Sequence, residues 1–128
     1  MRDLASNIGI VQAVAPQVLT ATTKSTAIDL LGFNAAAVVI NTGAIVSSGN
    51  FTPKLQESDT TTDGDFTDVD ASNLIGTLPT ELVADAAVKQ SYIGDKRYIR
   101  AVLTLNSGTS IAADVIAVLG DARNRPVA

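Results

Sequence analysis

Residues 88–105 read Val88-Lys89-Gln90-Ser91-Tyr92-Ile93-Gly94-Asp95-Lys96-Arg97-Tyr98-Ile99-Arg100-Ala101-Val102-Leu103-Thr104-Leu105. In the second half, Ile99, Ala101, Leu103 and Leu105 fall on one side of an extended chain and Tyr98, Arg100, Val102 and Thr104 on the other. That period of two is the mark of a half-buried strand. In the first half Val88, Gln90 and Tyr92 oppose Lys89, Ser91 and Ile93, and Gly94-Asp95 is a turn signal, so the segment predicts a hairpin. Residues 106–109 turn the chain again, and residues 110–120, apolar at nearly every position, predict a strand deep in the core.

Upstream, short apolar runs alternate with Gly, Asn, Asp and Ser in the same way. Residues 8–14 predict an early edge strand that Pro16 interrupts, since proline cannot donate to a sheet ladder. Residues 35–41, rich in Val and Ile, predict a buried central strand, and residues 51–58 a second strand that returns beside it after the Ser47-Ser48-Gly49-Asn50 tip. Residues 59–70 predict a polar turn and a short strand anchored by Phe66 and Val69, and residues 73–76 a single helical turn.

Seven or eight strands at spacings of about ten residues fit a two-layer antiparallel sandwich or a small barrel. The sandwich, jelly-roll-like or immunoglobulin-like, is the expectation. With 128 residues the chain makes one domain, with residues 1–14 and 121–128 expected as extended terminal arms.

Composition narrows the function. The formal charge of −4 argues against nucleic acid as a partner, because binding to phosphate backbones is driven by Lys and Arg. The chain has no Cys and no His, which excludes Ser-His-Asp, Cys-His and zinc chemistry. No segment approaches the ~20 apolar residues of a membrane helix, so no membrane association is expected. An enzyme could only be a carboxylate or metal hydrolase; none is expected, and no cofactor.

The acidic residues Glu57, Asp59, Asp63, Asp65, Asp68 and Asp70 cluster in one loop. Counted from Asp59, Gly64 holds the sixth place of a calcium loop, but the third is Thr61, the twelfth is Asp70 and the flanks are strand-like. A solvated hairpin turn is the expectation. Lys96, Arg97, Arg100, Arg123 and Arg125 are five of the nine basic residues and lie in the last third. An acidic tip on one copy could therefore meet a basic base on another.

The run Tyr92-Ile93-Gly94-Asp95-Lys96-Arg97-Tyr98-Ile99-Arg100, the Val115 to Gly120 strand and the tail Arg123-Asn124-Arg125-Pro126-Val127 resemble a family of small virion proteins of tailed bacteriophages. Lys54-Leu55-Gln56-Glu57-Ser58-Asp59, Phe66-Thr67-Asp68-Val69, Ala13-Val14-Ala15-Pro16 and Ile28-Asp29-Leu30-Leu31-Gly32-Phe33 extend the resemblance over nearly the whole chain. It implies a capsid decoration or cement protein, without catalytic residues, made in the bacterial cytoplasm and placed on the capsid surface of the virion. Its partners would be the major capsid protein and neighbouring copies of itself, a trimer being one possibility. Arg97, Arg100, Arg123 and Arg125 are the residues expected to touch an acidic capsid surface or a neighbouring subunit.

Two rivals keep their place. One is a head-tail connector or tail component, which needs a flat flank on each subunit. The other is a carbohydrate-binding sandwich, disfavoured because such sites stack sugars on aromatics and this chain has no Trp and two Tyr.

Overall fold

In the computed structural model, which describes residues 2–124, the alternation of residues 98–105 becomes the strand Tyr98–Ser107, with Ile99, Ala101 and Leu103 buried against the core. In chain order the strands are β1 (Gly9–Leu19), β2 (Thr23–Lys24), β3 (Ile28–Asp29), β4 (Phe33–Val46), β5 (Asn50–Ser58), β6 (Thr67–Asp68), β7 (Leu74–Ile75), β8 (Ala87–Tyr92), β9 (Tyr98–Ser107) and β10 (Ser110–Ala122). Three single turns of 3-10 helix, Ala5–Asn7, Asp63–Asp65 and Ala71–Asn73, join them. The expected all-β antiparallel sandwich is what forms. Sheet A runs β1-β10-β4-β8-β7 and sheet B runs β2-β9-β5-β6, with β3 beside β2 on β9.

The pairings are nested. β5 pairs with β6, β4 with β8, β2 and β3 with β9, and β1 with β10, each pair joining residues farther apart in sequence than the one inside it. The chain is thus one long antiparallel ribbon, folded back at residues 59–66 and rolled so that successive rungs fall in opposite sheets. That is the jelly-roll topology.

Rolling corrects two expected hairpins. Residues 88–93 and 97–105 do not pair: β8 lies in sheet A between β4 and β7, and β9 lies in sheet B between β2 and β5. Residues 35–41 and 51–58 do not pair either, because β4 holds the centre of sheet A and β5 pairs with β9. The turn between β4 and β5 is still a tight one. Gly49 N–H donates to the Val46 carbonyl at 3.2 Å, and Ser47 and Ser48 both have positive φ (50° and 57°), the type I′ geometry.

The expected terminal arms are corrected as well. Residues 9–14 belong to β1, an edge strand as expected, which continues past Pro16 to Leu19 through register shifts at Gln12/Val14 and Val14/Gln17. The bulge absorbs the missing N–H of the proline. Residues 121 and 122 still belong to β10, where Ala122 faces Phe33, and Arg123 N–H donates to the Gly32 carbonyl at 2.9 Å. Residues 125–128 lie outside the described residues.

The core lies between the sheets. Phe51, Ile28, Ile40, Ile99, Leu103 and Ile111 are fully buried, and each such side chain contributes about 1.5–3 kcal/mol over an exposed one. Leu82, from the long β7–β8 connection, is pinned there by its N–H donating to the Phe51 carbonyl at 2.9 Å. At the β4–β5 end two glycines interlock. A Cβ on Gly49 would overlap the Ser110 carbonyl, and one on Gly108 (φ +79°) would overlap the Ser48 carbonyl.

Candidate interaction surface

Antiparallel pairing sends the β3–β4, β5–β6 and β8–β9 connections to one end of the sandwich, together with the start of β1 and the end of β10. Three of the basic residues of the last third gather there. Lys96 and Arg97 come from the β8–β9 loop and Arg123 from the end of β10. With Leu30, Leu31 and Phe33 they line an open cleft of ≈ 450 Å³. Leu31 and Ile93, the latter also in the β8–β9 loop, are 59% and 54% exposed.

Each cation there has a distinct role. Arg97 grips Asp29 with two parallel bonds, Nε to Oδ1 at 3.0 Å and Nη2 to Oδ2 at 2.9 Å, and its guanidinium lies 5.1 Å from the Tyr98 ring centre. These bonds hold the Asp29 carboxyl below the usual carboxylate range. Lys96 reaches Asp59 at 3.0 Å. Arg123 is exposed, and among the described residues no carboxylate lies within ion-pair distance of it.

Arg100 is elsewhere. Its side chain leaves the outer face of sheet B and is covered by the β5–β6 loop, so only 6% of the residue stays exposed. Nε donates to Gln56 Oε1 at 2.8 Å, Nη1 to Asp63 Oδ1 at 2.6 Å, and the guanidinium stacks 4.2 Å from the centre of the Phe66 ring. An arginine spent in this way is a strut inside its own chain, which corrects the expectation of a contact residue. The fourth expected residue, Arg125, lies outside the described residues.

Three of the six acids of the loop, Asp59, Asp63 and Asp68, are paired with basic residues of the same chain. Asp63 is faced by Arg100 and by Lys24 (3.2 Å), which together hold its carboxyl below the usual range, Arg100 first. Asp68 is lowered by Gln56 and then Lys54, and Asp65 accepts from the Thr60 hydroxyl at 2.7 Å. Among the described residues no three His, Cys, Asp or Glu converge as they would around a metal ion. Folding therefore brings part of the acid and base segregated along the sequence together, while the carboxylates of Asp59, Asp63 and Asp68 stay largely exposed.

Sequence reasoning missed Leu30, Leu31 and Phe33 as part of this surface. Their signal was an apolar cluster beside Gly32, whose φ of +92° makes the β3–β4 turn and leaves Leu31 pointing outward.

No described protein family matches the sequence, and no curated protein does. Among solved structures, the SPBc2 prophage-derived protein YomS is similar at a TM-score of 0.50 and 13% identity, over 88% of this chain and 93% of that one. A chain from the structure of infectious bursal disease virus Gx strain is similar at a TM-score of 0.45 and 11% identity, over 93% of this chain and 33% of that one. At such identity the likeness to the prophage protein is one of fold: the two chains share this arrangement of sheets over nearly their whole lengths.

Proposed function

We propose that this chain is a non-enzymatic structural protein of a tailed-phage particle, a decoration or cement protein that seats on the outer face of the capsid. The observation that carries the reading is the end of the sandwich where the exposed Leu31 and Arg123 share an open cleft with Leu30, Phe33, Lys96 and the carboxylates of Asp59 and Asp95. Exposed apolar side chains beside the exposed Arg123 suit a partly apolar protein surface that offers a carboxylate to that arginine. The resemblance of the motifs to small phage virion proteins supports the reading, as does the likeness in fold to a prophage-encoded protein. Many copies on one shell add weak contacts into a firm attachment.

A cryo-EM reconstruction of particles containing this chain tests it. The expected result is repeated density of one jelly-roll on the outer shell, with the Leu31 and Arg123 end toward the capsid. Density at the portal or tail would instead favour a connector or tail component. Charge reversal by Arg123→Glu and Arg125→Glu is expected to lower capsid occupancy and its salt resistance; unchanged occupancy would sink the assignment of the footing.

A further inference from the structure

In a two-sheet sandwich the outward face of each sheet meets water, and its strands alternate apolar and polar. Sheet B obeys: Lys24, Thr52, Lys54, Gln56, Arg100 and Thr104 face outward from it. Sheet A does not. Its register lays Ile10, Val118, Ala37, Ser91 and Ile75 side by side in one outward row across all five strands. The next row is Gln12, Ile116, Val39 and Lys89. Ile10 and Ile75 are each 59% exposed. The apolar runs of β4 and β10 are thus apolar on both faces, the pattern of strands that are covered on both sides, yet in the single chain the outward residues Val39, Ile116 and Val118 are only half-buried, with no further sheet over them.

We propose that two copies of this chain associate face to face through the outer side of sheet A, packing as one further layer of sheet on sheet. Area supports a second copy as the occupant. Three strands of eleven to fourteen residues and one of six, about 4.8 Å apart, present on the order of 700 Å², close to what each partner contributes to a stable interface.

Charge supports it too. Asp114 and Lys89 are the only charged residues in the three central rows of this face, and they stand on opposite sides of β4, one on β10 and the other on β8. Asp114 Oδ1 is buried without any hydrogen-bond partner in its own chain, and Lys89, exposed, has no ion pair among the described residues. A two-fold axis running along β4 lays β10 of each copy over β8 of the other. Asp114 of each then approaches Lys89 of its partner, the reciprocal contact a two-fold interface requires.

Sedimentation equilibrium of the full chain between about 1 and 100 µM tests this. The expected mass is twice 13.2 kDa. Val39→Glu is expected to give a folded monomer by circular dichroism. Lys89→Glu and Asp114→Lys are each expected to weaken the dimer at least about 30-fold, and the double exchange to restore it. Should Val39→Glu fail to fold, Lys89→Glu at its exposed position carries the same test. A wild-type monomer at the highest concentration, a trimer or ring, or a dimer indifferent to Lys89→Glu would overturn the proposal. None of these outcomes depends on where the protein sits on a particle, so the self-association stands or falls apart from the capsid reading.

Discussion

The phenolic hydroxyl of Tyr92 donates to Glu57 Oε1 at 2.7 Å and ties β8 of sheet A to β5 of sheet B across the end of the core. The same oxygen accepts the Lys96 N–H at 3.0 Å, which fixes the start of the cleft-lining loop. Gly94 is required there because a Cβ would overlap the Tyr92 ring and hydroxyl. Its role is close approach, where the sequence suggested only a turn.

Tyr92→Phe is expected to lower stability by about 1 kcal/mol in urea unfolding, because it removes the hydroxyl that bonds the half-buried Glu57 carboxylate. The wild type should also have an alkaline limb. Burial, and then Glu57, push the Tyr92 phenol well above its ordinary range. The folded chain therefore holds that proton more firmly than the unfolded one, so this stability is complete below about pH 10 and declines above it. In Tyr92→Phe the decline should be shallower; equal slopes would show that Tyr92 does not carry it.

At the acid end the sign is opposite. Asp29, Asp63 and Asp68 all sit below the usual carboxylate range, chiefly through bonds from Arg97, Arg100 and Gln56 respectively. Their contribution is present above about pH 4 and is lost as pH falls through their folded values. Urea midpoints measured from pH 7 down to 2 should fall, and Asp29→Asn should flatten part of that fall while lowering the neutral plateau slightly.

Arg100→Lys is expected to cost about 2 kcal/mol, since an ammonium on a flexible stem cannot bond Gln56 and Asp63 together or stack on Phe66. Because the loop of residues 59–66 hangs on this side chain, limited proteolysis should cut it earlier in the variant. Arg123→Ala, at an exposed position, should leave stability within about 0.5 kcal/mol of the wild type and the rate of loop cleavage unchanged.

The interlocked turns at the other end give opposite expectations for neighbouring residues. Gly49→Ala should cost about 3 kcal/mol or more, because its Cβ would meet the Ser110 backbone. Ser48→Gly, at a φ of 57°, should gain about 0.5–1 kcal/mol by relieving a left-handed residue. Thermal melts of the two variants decide both.

The strands were legible because period-two patterns such as Ile99, Ala101, Leu103 and Leu105 are local. Their partners were not. Gly94-Asp95 reports that the chain reverses, but a tight turn serves equally a hairpin and a step from one sheet to the other, so nothing near β8 and β9 says that they part. Arg100 was misread for a related reason: a cation on an outward strand position reads as exposed until a loop from about 40 residues upstream is known to lie over it. The cleft was half legible, since Arg97 and Arg123 were singled out by charge while Leu31 joined them only through the turn at Gly32. The doubly apolar faces of β4 and β10 were visible in the sequence, where they read as depth in the core.

The nesting of strand pairs also sets a timetable for synthesis. Gly9 pairs with Leu119, so the first strand made waits for the last. At about 5–20 residues per second that wait is roughly 5–20 s on the ribosome, during which β1 has no partner and the apolar surface of β4 lacks its cover. The ribbon can begin to close only once β6 has emerged to meet β5, and the outermost rung closes last. A chain wound in this order folds slowly for its size, as expected of a topology dominated by distant contacts.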